Sequence, residues 1–341
     1  MSSENPTYII TGITGSFGNV MLRFLLANTD AIIRGVSRDE NKQSVMLAGV
    51  TDPSRVRLLL GDIRDLARLR LAMDGVDIAF HSAALKYIDA GERDPHEFVQ
   101  TNINGTYNVI TACIESGVKK AIFLNSDKST NAINLYGSTK AVAEKLWIRA
   151  NGYSPRGTWF NSIRYGNITG SRGSVIEKWR NAIASGKPLL MTDPFMTRFC
   201  ISLEEAVRLA WFAAMYAPRG TILVPHIPAY TVGDLLLAFC EESGRPLYPV
   251  EIIPVRAGEK HHEQLLADHE TAHLVAYTDT NNTPLYYAIP PVEPTWEMPP
   301  WQEWDAEPGY TWQPTQLCFR YSSDVWPYRL SVEELRRRLR E

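Results

Sequence analysis

The sequence predicts an α/β protein: a doubly wound parallel sheet with helices on both faces, followed by a smaller C-terminal lobe. Three observations carry that expectation. Short apolar runs alternate with amphipathic stretches through the first two-thirds of the chain, the order that βαβ units produce. The runs are apolar throughout rather than alternating, as strands buried on both faces must be. A glycine-rich turn follows the first run directly and opens the first amphipathic stretch.

Tyr8-Ile9-Ile10 reads as the first strand and Asn19 to Ala27 as the helix after the turn. Ala31 to Val36 and Val56 to Leu60 are the next strands. Leu66 to Met73 is helical, and Val76 to His81 is the fourth strand. Glu97 to Ser116 has the spacing of one long helix. Ala121 to Leu124 is the fifth strand and Thr139 to Ala150 another helix. After residue 165 the pattern loosens. Helices are expected over Val175 to Ser185, Leu203 to Met215 and Val232 to Glu242, with a strand over Thr221 to Val224.

From Pro284 to Pro314 the composition shifts. Eight of the 21 prolines and four of the nine tryptophans (Trp296, Trp301, Trp304 and Trp312) fall there. Proline is excluded from helix interiors and central strands, so the stretch is expected to be irregular. Tryptophans argue against plain disorder. An ordered extension packed on the body or on another subunit is expected.

The formal net charge of -3 provides no basic field for nucleic acid. Arg336, Arg337, Arg338 and Arg340 read as the exposed face of a last helix. The four cysteines, Cys113, Cys200, Cys240 and Cys318, form no Cys-x-x-Cys pair. Neither a disulfide framework nor a metal site is expected, and a reducing, cytoplasmic compartment fits. Residues 1–7 lack a basic region followed by an apolar stretch, and no run reaches about 18 apolar residues, so neither a signal peptide nor a membrane span is expected.

The turn Thr11-Gly12-Ile13-Thr14-Gly15-Ser16-Phe17-Gly18 has the form T-G-x-x-G-x-x-G. Its early glycines allow a tight turn and close approach to a pyrophosphate, and the helix N-terminus then faces the negative charge. Thr11, Gly12, Thr14, Gly15, Ser16, Phe17 and Gly18 are therefore candidate cofactor residues. The second strand ends in Ser37-Arg38 rather than in an acid. A hydroxyl and a guanidinium suit a 2′-phosphate, so NADP is favoured, while the adjacent Asp39 keeps NAD open. Asp62, with Ile63, is placed to accept from an adenine amino group; a helix N-cap is its other reading. Ala83 and Ala84, after the fourth strand, are small where the cofactor would pass. Residues 1–165 are assigned to the cofactor domain, with 195–225 returning to it. Residues 166–194 and 226–341, including the segment 284–314, are assigned to the second lobe.

Tyr136 and Lys140 lie one helical turn apart on one face. A tyrosine is a poor base unless nearby positive charge favours its phenolate. With that help it takes a hydroxyl proton while hydride leaves the same carbon. Ser126 adds a hydroxyl for the substrate oxygen. Asp127-Lys128 follows the fifth strand at the carboxyl edge of the sheet, where doubly wound folds hold ligands. An extra acid and base there suggest a second proton transfer and a leaving group. A surface ion pair is the plainer alternative.

The glycine turn, tyrosine and lysine resemble extended short-chain dehydrogenases. The finer pattern is similar to the inverting UDP-N-acetylglucosamine 4,6-dehydratases of bacterial surface-sugar pathways. The matching stretches include Ser37 to Glu40, Gly61 to Asp65, Ala83 to Lys86, Thr101-Asn102, Ser126-Asp127-Lys128 and Asn134 to Gly137. Arg164 to Asn167, Gly170 to Ile176, Met196 to Phe199, Gly258-Glu259-Lys260 and Leu330 to Leu335 continue the match. Asn125, Asn131-Ala132, Arg256-Ala257-Gly258, His261 and the Pro/Trp-rich stretch depart from it.

The resemblance implies a Rossmann sheet, a UDP-sugar substrate, a homo-oligomer between dimer and hexamer, and a reaction without net redox change. Tyr136, assisted by Lys140 and Ser126, would deprotonate the C4 hydroxyl as hydride passes to NADP. Lys128 would remove the C5 proton and Asp127 would help expel the C6 hydroxyl. Hydride would return to C6, with inversion at C5. Lys128 must then be neutral, so its pKa is expected to fall, with Lys140 and a partly dry site pushing it down and Asp127 opposing. Lys86 and Asn102 would line the sugar or nicotinamide pocket. Asn167, Arg172, Thr197, Arg198, Arg256, Glu259 and Lys260 would hold the nucleotide-sugar. A UDP-sugar 4-epimerase and a catalytically silent relative are the competing readings.

Overall fold

The computed structural model describes residues 5–170, 173–318 and 320–340. The early apolar runs become β1 (Thr7–Thr11), β2 (Ile32–Ser37), β3 (Val56–Leu60), β4 (Ile78–His81), β5 (Lys120–Leu124) and β6 (Trp159–Ile163). Across the sheet they run β3-β2-β1-β4-β5-β6, continued by β10 (Ile222–Pro225). All these neighbours are parallel. The order reverses between β1 and β4, and such a switch point opens a crevice at the carboxyl ends of the strands.

The crossover helices are α1 (Ser16–Asn28), α2 (Glu40–Ala48), α3 (Leu66–Met73), α4 (Ile88–Arg93), α5 (Pro95–Phe98), α6 (Thr106–Ser116) and α7 (Leu135–Arg149). On one face α1 packs with α9 (Leu203–Tyr216), burying Met21, Leu25, Val207 and Ala210 in one apolar cluster. On the other face α3, α6 and α7 bury Leu69, Val109 and Trp147.

The long helix expected over Glu97 to Ser116 is interrupted. A π-helical stretch, Val99–Gly105, separates α5 from α6. Such wide turns recur at functional sites. This one buries Asn102, whose amide grips the backbone of Leu85: Leu85 N–H donates to its Oδ1 at 2.8 Å, and its Nδ2 donates to Leu85 O at 2.9 Å.

Three further strands, β13 (Val275–Asp279), β14 (Pro284–Ile289) and β15 (Tyr310–Pro314), extend the main sheet past β10 in the order β14-β13-β15, all antiparallel. This corrects two expectations. The region after residue 226 does not lie wholly in the second lobe, and 284–314 is not irregular throughout. Pro284 opens one strand and Pro314 closes another, positions where a missing N–H is tolerated. The connection 290–309 packs on the body. Trp304 and Trp312 meet edge to face at 5.4 Å. Their indole N–H groups donate to Pro299 O at 3.0 Å and Asp305 O at 2.9 Å.

The second lobe contains β7 (Asn167–Ile168), β9 (Thr197–Ile201) and β11 (Ala229–Thr231) in one sheet, and β8 (Leu189–Met191) paired with β12 (Val250–Ile252). Thus within 195–225, α9 and β10 belong to the main body whereas β9 pairs in the small sheet. Helices α8 (Val175–Ala184), α10 (Val232–Glu242) and α11 (Val332–Arg340) bury Trp179, Leu235, Phe239 and Leu335 together. The arginines of α11 are less free than a solvated face would be. Arg338 donates to both Glu205 oxygens at 2.9 and 3.1 Å, and Arg340 lies 2.8 Å from Glu242. Among the described residues, no helix is long and apolar enough to cross a membrane.

Candidate active site

A cavity of about 1070 Å³ runs from the first turn of α1, past the carboxyl ends of β4 and β5, into the second lobe. Gly12, Gly15, Ser16, Phe17 and Gly18 line one end, with Ala84 and Lys86 beside them. Ser126, Lys128, Tyr136 and Lys140 line the middle, and Asn167, Arg198, Arg256 and Glu259 the far side. These candidates, from both lobes, therefore share one space.

The glycine end suits a dinucleotide. Gly12 has φ +73, and a Cβ there would sit 2.8 Å from the Ala83 nitrogen. The α1 N-cap, Gly15, offers no side-chain cap, and the first turn carries no acid. The positive end of the helix dipole there favours an anion. Thr11 acts from behind. Its hydroxyl meets His81 Nδ1 at 2.7 Å, and His81 Nε2 meets the Thr106 hydroxyl at 3.0 Å. Thr106 in turn donates to Asn102 O at 2.7 Å. That direction makes His81 Nε2 the donor and Nδ1 the acceptor, a neutral imidazole. Burial agrees, lowering the His81 pKa to about 3, with the Lys140 charge adding to the effect.

Several candidates do not reach the cavity. Asn102 is spent on Leu85 and, at 3.1 Å, on the Thr139 hydroxyl, so it positions the Leu85 loop instead of touching a ligand. Ile63 is buried core. Asp62 accepts from Arg64, at 2.8 Å, and lies 3.7 Å from Arg38. The cap of α3 falls to Asp65. At the end of β2 the buried Ser37 hydroxyl accepts from Gln43 at 2.9 Å, and Arg38 is exposed. Asp39 caps α2 and pairs with Lys42 at 2.7 Å. Lys42 lines the cavity.

Around Tyr136 the local fold is tightly specified. Asn134 caps α7 by accepting from Gly137 N at 2.7 Å, and its amide donates to Gly258 O at 2.8 Å. One side chain thus joins the catalytic helix to the Gly258-Glu259-Lys260 segment. Gly137 allows the Lys128 loop to lie against α7; a Cβ there would collide with the Lys128 carbonyl oxygen. Burial raises the Tyr136 pKa, opposed first by the Lys128 charge and then by a hydrogen bond with Ser126. The cation nearest in effect is therefore Lys128. Lys140 instead donates to Leu124 O at 2.6 Å and sits 3.8 Å over the Phe123 ring. Burial pulls its pKa down to about 7, against Glu144.

Lys128 corrects a central expectation. Burial lowers its pKa, as anticipated, but Asp127 and then Glu263 outweigh burial and hold it above the usual lysine value. Its Nζ lies 3.1 Å from Asp127 Oδ1, 3.2 Å from Asn167 Oδ1 and 3.4 Å from Glu263 Oε1. Asp127, from the same motif, and Glu263, from far along the chain, together favour the ammonium form of Lys128. The Asp127 side chain is fully buried and accepts from the Ser126 hydroxyl at 2.8 Å.

On the substrate side, Arg198 donates to Thr197 O and His261 O at 2.8 and 2.9 Å, and lies 3.5 Å from Glu259. Lys260 donates to Thr130 O at 2.6 Å and borders a recess of about 200 Å³ that shares Lys128, Asn167 and Arg198 with the main cavity. Thr197 does not face the cavity; its hydroxyl is taken by His262 and Ser323. Arg172 lies outside the described residues.

Residues 8–283 match the family of polysaccharide biosynthesis proteins. The chain belongs to that family. It is 41% identical over 336 residues to a UDP-N-acetylglucosamine 4,6-dehydratase (inverting) of Campylobacter jejuni, covering 96% of this chain and 95% of the relative. It is 40% identical over 291 residues to a UDP-glucose 4-epimerase of Rickettsia conorii, covering 84% and 83%. Among solved structures, Pen from Bacillus thuringiensis superposes with a TM-score of 0.86 at 32% identity, covering 99% of this chain and 98% of the other.

In this member of the polysaccharide biosynthesis family, sequence reasoning missed two groups. Glu263 belongs to an irregular segment with no periodicity to mark it. Glu144, on α7, forms a buried network with Arg164 and Glu270. Its place one turn after Lys140 was the available signal.

Proposed function

We propose that this protein is a UDP-N-acetylglucosamine 4,6-dehydratase that inverts C5, forming a UDP-4-keto-6-deoxy-N-acetylhexosamine. The observation that carries the reading is the buried Asp127–Lys128–Glu263 cluster on the wall of the cavity that holds Tyr136. Oxidising and reducing C4 needs only the tyrosine and its hydroxyl partner. Two carboxylates bracketing an amine beside it are suited to moving a second proton.

A nicotinamide dinucleotide would be held by the glycine turn at Gly12, Gly15 and Gly18 and would supply the hydride chemistry at C4 and C6. Tyr136, hydrogen-bonded to Ser126 and facing the Lys128 charge, takes the C4 hydroxyl proton. The ketone acidifies C5, Lys128 as the neutral amine takes its proton, and the C6–O bond breaks as Asp127, in its protonated form, gives the leaving hydroxyl the proton that makes it water. Arg198, Arg256 and Lys260 supply positive charge for the diphosphate, where a guanidinium fork matches phosphate geometry. NADP is the cofactor in this reading. Asp39, the residue that would favour NAD, is engaged as a helix cap and with Lys42, while the exposed Arg38 offers its guanidinium to a 2′-phosphate.

A UDP-sugar 4-epimerase is the second reading, supported by the name of the Rickettsia relative. Proton NMR of UDP-N-acetylglucosamine incubated with the protein and NADP separates the two. A new C6 methyl signal is expected; a 4-epimer without a methyl signal sinks the dehydratase reading.

A further inference from the structure

We infer that Glu263 is a positioning residue that takes the proton from the Lys128 ammonium, delivering the neutral amine that attacks C5–H. The inference rests on the dehydratase reading above.

An ammonium has three donors and no lone pair. Lys128 Nζ donates to Asp127 Oδ1 and Asn167 Oδ1, and Glu263 Oε1 lies 3.4 Å away as an ion-pair partner. An amide oxygen such as Asn167 Oδ1 is not a proton sink, so a carboxylate must receive the proton before C5 chemistry. Each carboxylate keeps one buried oxygen without a hydrogen bond, Asp127 Oδ2 and Glu263 Oε2, and they differ in what holds the other oxygen. The Asp127 oxygen that meets Lys128 also accepts from Ser126, which ties it to the tyrosine end of the site. Glu263 is 3% exposed, and its Oε2 is buried without a hydrogen bond, 3.8 Å from Lys260. That leaves one oxygen open to a hydrogen.

The backbone fixes the group. Glu263 N–H donates to the Ser323 hydroxyl at 2.9 Å, and Ser323 N–H donates to Glu263 O at 2.8 Å. The charges facing it are Lys128, Asp127, Arg198 and Lys260, with the Tyr136 hydroxyl beyond Lys128. Burial raises the pKa of this carboxyl, against the Lys128 charge.

The step is a proton transfer without redox change. A proton moves from Lys128 Nζ to a Glu263 oxygen, leaving a lone pair on nitrogen. That pair takes the C5 proton, and the C5–H electrons enter the enolate of the C4 ketone.

The test runs wild-type, E263Q and E263D proteins with NADP and UDP-N-acetylglucosamine in deuterated water. Reduced-nicotinamide absorbance reports C4 oxidation; NMR reports deuterium at C5 and the C6 methyl. E263Q is expected to keep C4 oxidation and lose C5 exchange by about 100-fold, the lower range of general acid–base effects. E263D is expected to recover part of it. Wild-type or faster exchange in E263Q overturns the inference, because a carboxylate that merely holds the ammonium would free the amine on removal. Equal loss of C4 oxidation and C5 exchange in E263Q overturns it too, since that is a structural defect. Should E263Q not fold, E263D decides, and wild-type C5 exchange in it counts against the inference. Failure of the dehydratase reading is seen separately, as wild-type protein that makes no methyl product, and it removes the inference as well.

Discussion

Glu144 and Arg164 meet at 2.6 Å with both side chains 3% exposed, joining the catalytic helix to β6. Arg164 also reaches Glu270, at 2.8 Å, and Asn125 donates to Glu144 at 2.6 Å. Removing one member strands a buried charge, and such losses cost about 3–5 kcal/mol. Glu144→Ala is expected near the lower end, because Glu270 still serves Arg164. Urea unfolding measures it; a loss below about 1 kcal/mol would place the pair with replaceable surface bridges.

Lys128→Ala separates the two halves of the proposed reaction. C4 oxidation is expected to slow modestly, through loss of the charge that favours the Tyr136 phenolate, while the C6 methyl product falls by about 100-fold or more. Single-turnover absorbance and NMR read the two steps independently. Full dehydration by this variant would contradict the base role.

His81 makes stability depend on acid. Its pKa is about 3 when folded and 6.5 as a free side chain. The unfolded chain therefore binds the proton first as pH falls. The contribution is whole above pH 6.5 and is lost progressively towards pH 3. His81→Asn should be less stable than wild type at neutral pH, with the gap narrowing as pH falls through that window. Urea midpoints at several pH values test this, and a constant gap would refute it.

Cofactor choice should depend on Arg38. Arg38→Ala is expected to weaken NADP by about tenfold and to leave NAD within about twofold, because only the 2′-phosphate offers a charged partner. Fluorescence titration with each nucleotide checks it. Equal weakening of both would place Arg38 elsewhere than at the 2′ position.

Trp312 anchors the Pro/Trp-rich region to the body at 2% exposure, edge to face with Trp304 and 6.1 Å from Phe212. Trp312→Ala is expected to cost about 3–5 kcal/mol through the cavity it leaves. A loss below about 1 kcal/mol in urea unfolding would mean that this region adds little to the fold.

The sequence by itself determined the doubly wound sheet and the glycine and tyrosine parts of the cavity wall. Those features are written locally: apolar runs in Ile9-Ile10 and Ile122-Phe123, glycines at a turn, and Tyr136 one helical turn before Lys140. Periodicity and turn chemistry act between near neighbours, so they are legible without coordinates. What only the tertiary structure decided depends on residues far apart in the chain. Glu263 arrives beside Lys128 from far along the chain and adds to Asp127 in raising the pKa that was expected to fall. Asn102, Thr197 and Asp62 carry polar groups that suit a ligand, yet Leu85, Ser323 and Arg64 claim them. The strands after residue 275 join the main sheet because proline at a strand end leaves the ladder intact. Charge state and hydrogen-bond occupancy are sums over everything within a few ångströms, and only the folded chain brings those groups together.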